Sequence, residues 1–199
     1  LEANSEAFEV FEIDFEWTVD DRLICLHDWG NSADKEFGVE AIGPMSFEEW
    51  KNTPRGNDWG GCSWNTLRDW LQENPSKRLV TDVKSSNIKA LRLMAQTLPS
   101  FSKQVIPQAY HPDEVQMIKS LGFQDVIWTI YRFDGSDDEV VEAANELDVS
   151  AVTIPKGRAG ELSIRLYNLG TKVYVHTVNN VAELADYRRA GVLGIYTDF

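Results

Sequence analysis

The sequence predicts an α/β fold, a (β/α)8 TIM barrel that is N-terminally incomplete, with about seven strands present. Three observations carry that expectation. First, a unit repeats through the C-terminal two-thirds: a short β-rich apolar run, turn residues, a helical pattern and often a closing Gly. The runs Leu79–Lys84, Val105–Tyr110, Val126–Arg132, Ala151–Pro155, Lys172–Val178 and Gly194–Asp198 start 26, 21, 25, 21 and 22 residues apart. Second, strands alternating with helical segments of this length build βαβ units and a parallel sheet. Third, a complete barrel typically takes ~250 residues, and this chain has 199. Six runs and an earlier strand at Val10–Trp17 suit a barrel without its first strand and most of its first helix. A doubly wound sheet is the runner-up, but no Gly-rich phosphate fingerprint follows any strand.

The elements follow in order. Val10–Trp17 turns at Asp20-Asp21 into a second run through Leu23, Cys25 and His27. Residues 29–66 then break the rhythm, with many Gly, Asn, Asp, Ser and Trp residues and one helical signal at Ser46–Trp50. They read as a small insertion or long loop after the second strand, of the kind usually functional or disordered. Trp50, Trp59, Trp64 and Trp70 argue that it packs, and Thr66–Glu73 reads as a helix leading to Leu79. Asn87 and the serines before it start a helix over Ile88–Leu98, and Pro112 stands at a first helical position before Asp113 and Glu114. Ser136 and Glu139 have capping-box spacing, and Asn180 and Glu183 resemble it. Gly122, Gly170 and Gly191 follow helical patterns as C-terminal caps. Residues 1–199 read as one domain carrying the 29–66 insertion.

Composition narrows the function. Hydrophobic residues make up 43% and charged residues 26%, which is globular and excludes disorder, collagen and coiled coil. A net charge of −13 repels nucleic acid and anionic membrane. An acidic chain acting on phosphates needs a metal cation or a local basic group to hold them. No apolar run approaches 18 residues, so no segment is expected to span a membrane. Leu1 is not an initiator Met and no signal-peptide pattern follows it, so the chain reads as a piece of something longer. It is compatible with a soluble domain of a membrane-anchored or secreted bacterial protein. Cys25 and Cys62 make no disulfide framework and do not fix the compartment.

The strongest chemical signal is Phe11-Glu-Ile-Asp-Phe-Glu-Trp17. Strand side chains alternate, so Glu12, Asp14 and Glu16 share one face, and acids two apart lie about 7 Å from each other. That spacing suits joint oxygen coordination of a hard cation. Taken alone, the pattern also suits an edge strand with a solvated face. In a barrel the acids point inward, where they are costly unless paired or metal-bound. His27 supplies the usual proton-transfer group near neutral pH and gains weight from the neighbouring carboxylates. Asp82 and Lys84 project together at the C-terminal end of a strand, where barrel active sites are built. A third carboxylate completes a metal site, and a Lys holds phosphate as a point charge. Gln108, Tyr110, Tyr131, His176 and Asp198 stand at further strand ends. His111, before Pro112, reads as exposed and without a role.

Together these segments resemble the glycerophosphodiester phosphodiesterase family. Residues 11–28 resemble its E-x-D strand, T-x-D-G turn and H-D pair. Thr81-Asp-Val-Lys84 resembles its E-x-K strand. Val173–Asn179 and Gly194–Asp198 resemble its W-T-V-N and G-I-x-T-D strands. The resemblance covers nearly the whole chain in order, and the combination is specific although no single motif is. It implies a phospholipase-C-like phosphodiesterase barrel that hydrolyses a glycerol phosphodiester to glycerol phosphate and an alcohol with a divalent cation, for which oxygen ligands suit Mg²⁺ or Ca²⁺. It gives Glu12, Asp14 and Asp82 the role of metal ligands, His27 that of general acid or base, and Lys84 a contact to the phosphate. Gln108, Tyr110 and His176 join Lys84 as substrate-binding residues.

Three departures stand out. Asp82 replaces a usual Glu and reaches one methylene less far, and His176 stands where Trp is frequent. The family's first strand, with a His-Arg pair and the second acid/base group, is absent from these residues, and Leu1–Asn4 read as the end of the first helix. The chain is therefore expected to be nearly inactive by itself, and its open strand edges to favour self-association. The alternatives are a catalytically silent barrel that binds a glycerol-phosphate polymer or lipid head group, and a phospholipase-type enzyme forming a cyclic phosphate.

Overall fold

The computed structural model describes residues 6–38, 43–55 and 61–198. The chain forms two compact units, Leu1–Val105 and Ile106–Phe199. Its fold is α/β, with the strand–helix alternation of an N-terminally incomplete (β/α)8 barrel. Among the described residues no helix is long and apolar enough to cross a membrane. The expected helix end at Leu1–Asn4 and the packing of Trp59 lie outside the described residues.

In the first unit, β1 (Val10–Trp17) pairs antiparallel with β2 (Leu23–Cys25) and parallel with β3 (Arg78–Val83). The turn between β1 and β2 is closed by Thr18, whose hydroxyl accepts from the Arg22 amide at 2.9 Å. Phe15 is fully buried and stands opposite Val83 and Cys25, so its face turns into the core. The other face of β1 carries Glu12 and Asp14.

Between β2 and β3 run α1 (Asn31–Phe37), α2 (Phe47–Asn52) and α3 (Trp64–Glu73), and after β3 come α4 (Asn87–Thr97) and α5 (Phe101–Gln104). Ser46 and Glu49 cap α2 reciprocally, as do Ser63 and Thr66 at α3. Trp64, Leu67 and Leu71 form the buried stripe of α3 at helical spacing. The Trp64 indole donates to the Thr97 hydroxyl of α4 at 2.8 Å. Buried Gln104 donates from Nε2 to the carbonyls of Leu71, Asn74 and Lys77 at 2.8, 3.1 and 3.2 Å. One side chain thus joins the backbone amides of Asn74 and Lys77 in satisfying the end of α3 and the turn into β3.

The insertion differs from its sequence reading in two ways. It holds a second helix, α1, whose only buried apolar residues are Ala33 and Phe37, too few to register as a period. Together with Ile24, Leu26 and Trp50 they form a small core of their own. The two cysteines, which the sequence left without a framework, pair with each other: Cys25 and Cys62 form a disulfide with Cα atoms 5.3 Å apart. The Cys25 amide donates to the Cys62 carbonyl at 2.8 Å, and Ile24 bridges Ser63. Covalent and backbone ties therefore close the insertion at its base.

In the second unit β4 (Val105–Ala109), β5 (Ile127–Thr129), β6 (Ala151–Pro155), β7 (Val173–His176) and β8 (Gly194–Ile195) pair in parallel as successive neighbours. The helices between them are α6 (Pro112–Ser120), α7 (Asp137–Glu146), α8 (Glu161–Asn168) and α9 (Leu184–Arg189). Trp128, Val152, Ile154, Val173 and Val175 pack with Val140, Leu162 and Leu166 of the helices. The register places Thr129, Thr153 and Tyr174 in one row on the opposite face, which is polar.

The seven expected strands are β1 and β3 to β8; β2 is the antiparallel arm of a hairpin. Several are shorter than their sequence runs. Val126–Arg132 is strand only to Thr129, after which Ile130–Arg132 form a 3₁₀ turn. Lys172–Val178 is strand from Val173 to His176, and Gly194–Asp198 ends as strand at Ile195. Apolar β-branched character continues past the point where a neighbouring strand is available to pair. Ser136 and Glu139 form the expected capping box, whereas Asn180 caps a 3₁₀ turn over Val181–Glu183 before α9 begins.

Replacing Gln104 by Ala removes a buried donor shared by the Leu71, Asn74 and Lys77 carbonyls and is expected to cost about 1–3 kcal/mol in urea unfolding. Replacing Cys25 and Cys62 together by Ser is expected to lower stability by about 2–4 kcal/mol, as reductant does to the unsubstituted chain.

Candidate functional site

The β1–β3 ladder sets Asp14 opposite Asp82. In a parallel pair, facing residues project to the same side, so both carboxylates leave the sheet together, and Glu12 follows two residues away on that face. One oxygen from each of Glu12, Asp14 and Asp82 lies within 4.8 Å of the others. Two oxygens bound to one Ca²⁺ can be at most about 4.6–5.2 Å apart, twice the bond length. Asp82 reaches the cluster although it is one methylene shorter than Glu, because its backbone stands directly opposite Asp14.

Lys84 follows β3, and its amide donates to the Phe15 carbonyl at 2.9 Å. Its ammonium lies 2.5 Å from Asp14 Oδ1 and 2.8 Å from Asp82 Oδ2, with only 13% of the side chain exposed. Burial pulls its pKa down, but the Asp82 charge and the hydrogen bond and charge of Asp14 outweigh it. The ammonium is held above its ordinary range and stays charged. Three carboxylates and one ammonium carry a formal charge of −2, and all donors are hard oxygens, so the set fits a hard divalent cation such as Mg²⁺ or Ca²⁺. Glu16, third in the acidic row, is engaged elsewhere: its carboxylate accepts from the Ser85 hydroxyl at 2.9 Å.

His27 lies just beyond β2. The Leu26 amide donates to the Asp14 carbonyl at 3.2 Å, which ties the segment to the strand bearing the carboxylates. Extending the pleat would put His27 on the face of Leu23 and Cys25, opposite the acids. The strand ends at Cys25, however, and the chain bends at His27. The His27 side chain is 59% exposed, and its Nδ1 is 2.9 Å from Asp28 Oδ2. Asp28 is firmly held: the Ser32 hydroxyl donates to it at 2.7 Å, and the Gly30 and Ser32 amides at 2.8 and 3.2 Å. The Ser32 hydroxyl, opposed by burial and joined by His27 and the two amides, keeps the Asp28 carboxyl well below the usual carboxylate range.

The remaining candidates lie in the second unit. Gln108 on β4 and Tyr110 after it are buried. Tyr110 meets Tyr131 edge-on at 5.8 Å, and Tyr131 meets His176 at 5.9 Å. His176, at the end of β7, also meets Tyr196 at 6.4 Å. Asp198 accepts from Asn179 Nδ2 at 2.6 Å and returns its own amide to Asn179 Oδ1 at 3.0 Å, which joins the last two motif segments. His111 is exposed and precedes α6.

Sequence reading passed over Arg132 and Ser32. Arg132 stacks on Tyr110 with 3.9 Å to the ring centroid; its place directly after Tyr131 at a strand end was the available signal. Ser32 gave none, because its bond to Asp28 belongs to a helix the pattern did not show.

No protein-family model and no curated protein matches the chain. Solved structures do. A glycerophosphodiester phosphodiesterase from Parabacteroides distasonis superposes with a TM-score of 0.76 at 18% identity, covering 99% of this chain and 82% of that one. One from Thermotoga maritima gives 0.72 at 18% identity, over 99% and 84%. A phosphodiesterase from Oleispira antarctica, in complex with the product sn-glycerol-3-phosphate, gives 0.71 at 13% identity, over 99% and 84%. The fold of this chain is the fold of these proteins.

Replacing Asp14 by Asn is expected to weaken Mg²⁺ or Ca²⁺ binding by about tenfold or more, since even outer-shell partners of a metal act on that scale. Calorimetric titration of both proteins reads it. Equal affinity would remove Asp14 from the ligand set.

Proposed function

We propose that this chain, built on the fold of the glycerophosphodiester phosphodiesterases, is a metal-dependent phosphoric diester hydrolase. Its substrate is a glycerophosphodiester, cleaved to glycerol phosphate and an alcohol. The observation that carries the reading is the convergence of Glu12, Asp14 and Asp82 beside Lys84 on one strand pair. The product bound to the Oleispira antarctica phosphodiesterase supports the substrate class.

Glu12, Asp14 and Asp82 would hold Mg²⁺ or Ca²⁺, which when bound neutralises the phosphate oxygens and the charge that develops on them. That also reconciles an anionic substrate with a chain of charge −13. Lys84 orients the Asp14 and Asp82 carboxylates and offers the phosphate a fixed positive charge. His27 gives a proton to, or takes one from, an oxygen of the phosphodiester. Gln108, Tyr110 and His176 are the candidates for substrate contact in the second unit.

The test is hydrolysis of glycerophosphodiesters by the full-length natural chain, with Mg²⁺ or Ca²⁺ and with chelator. Cation-dependent release of glycerol phosphate is the expected result. Absence of turnover for every glycerophosphodiester tried, with binding of a glycerol-phosphate polymer instead, would replace the reading with a silent binding barrel. In the active chain, His27→Ala is expected to lower kcat by about 10²–10⁴-fold. Full activity in that variant would move the proton-transfer role elsewhere.

A further inference from the structure

We propose that Asp28 is a positioning residue that holds His27 in the Nδ1-protonated tautomer, with Ser32 fixing the orientation of the Asp28 carboxylate, and that this leaves Nε2 as the atom that exchanges a proton with substrate. The inference rests on the proton-transfer role proposed for His27 and adds which of its nitrogens performs it and what enforces that choice.

An ionised carboxylate can only accept hydrogen bonds. Asp28 lies well below the usual carboxylate range, so it is ionised at neutral pH. Its Oδ2 is 2.9 Å from His27 Nδ1, and the hydrogen between them therefore belongs to the histidine. In the neutral ring this leaves Nε2 as an acceptor, on a side chain that is 59% exposed. In the imidazolium both nitrogens carry hydrogen, and the proton that can leave is again the one on Nε2, because Nδ1–H faces a carboxylate.

The carboxylate cannot turn to release the ring. Asp28 Oδ1 receives the Gly30 and Ser32 amides at 2.8 and 3.2 Å, and Oδ2 receives the Ser32 hydroxyl at 2.7 Å. These partners open α1, so the insertion itself fixes the carboxylate that fixes the histidine. The segment is also tied to β1: the Leu26 amide donates to the Asp14 carbonyl, and the Trp29 indole donates to the Trp17 carbonyl at 2.8 Å.

This network makes the effect of Asp28→Asn specific. The Gly30 and Ser32 amides demand an acceptor at the Oδ1 position, so they take the Asn carbonyl oxygen. The amide nitrogen then faces His27 Nδ1 as a donor, and Nδ1 can pair with it only when unprotonated. The helix start survives while the ring is driven to the Nε2-protonated tautomer.

Nitrogen-15 NMR of the labelled full-length chain, at a pH where the ring is neutral, reads the tautomer directly. The chain has three histidines, and His27→Gln assigns the signal. The wild type is expected to show a protonated Nδ1. Asp28→Asn is expected to move the proton to Nε2, and Asp28→Ala to lose the Nδ1 preference. Ser32→Ala is expected to leave the tautomer in place but to let the ring populate more than one orientation. If hydrolysis is observed, Asp28→Asn lowers kcat by about 10²-fold or more with KM nearly unchanged. A wild-type ring protonated at Nε2, or an unchanged Nδ1–H signal in folded Asp28→Asn and Asp28→Ala proteins, would overturn the proposal. Lack of turnover on glycerophosphodiesters would instead count against the reading of the site, since the tautomer is measured without substrate.

Discussion

The in-register parallel pairing of β1 with β3 is the constraint on which the site depends. It places Asp14 against Asp82, an arrangement that by itself is repulsive. Two like charges on adjacent strands are tolerated only with a compensating charge close by. Lys84 provides one, held by its backbone bond to Phe15 and by ammonium contacts to both acids. A slip of one residue in that ladder would turn one acid onto the packed face, against the core that buries Phe15 and Val83. Core packing and charge placement therefore specify the same register.

The insertion extends that order outward. It leaves the sheet at β2 and returns beside it at Ser63, where the Cys25–Cys62 disulfide and the Cys25 amide close the loop. Its small core of Ile24, Leu26, Ala33, Phe37 and Trp50 draws Ile24 from the hairpin arm and Leu26 from directly after it, so it packs onto the strand rather than beside it. The consequence for chemistry is local: His27 and Asp28 lie in the few residues between the pinned strand and α1, where little freedom remains. A proton-transfer group needs that kind of preorganisation more than it needs burial.

The second unit divides its sheet in the same manner. One face is apolar against α7 and α8, and the other carries Gln108, Thr129, Thr153, Tyr174 and His176. Tyr174 and Gly194 are register partners, and a Cβ on Gly194 would stand 2.7 Å from the Tyr174 ring. The Tyr174 ring occupies the space that a side chain at 194 would need. Tyr110, Tyr131, His176 and Tyr196 then meet edge-on in succession at the strand ends.

Much of this was legible in the residues themselves. The 21 to 26 residue repeat specified alternating strands and helices, since period-2 and period-3.6 patterns are local properties of the chain. The acid alternation in Glu12-Ile-Asp14 placed both carboxylates on one face for the same reason. What the sequence could not decide was which distant groups meet. The opposition of Asp14 and Asp82, the double contact of Lys84, the Cys25–Cys62 bond and the capture of Asp28 by Ser32 all depend on ladder register and on a loop closing on its own base. The strands end before Ile130 and at His176, short of their apolar runs, because a strand stops where its partner stops, and no residue carries that information. Side-chain periodicity is set by the chain alone, whereas contacts between separated segments exist only once the sheet has formed.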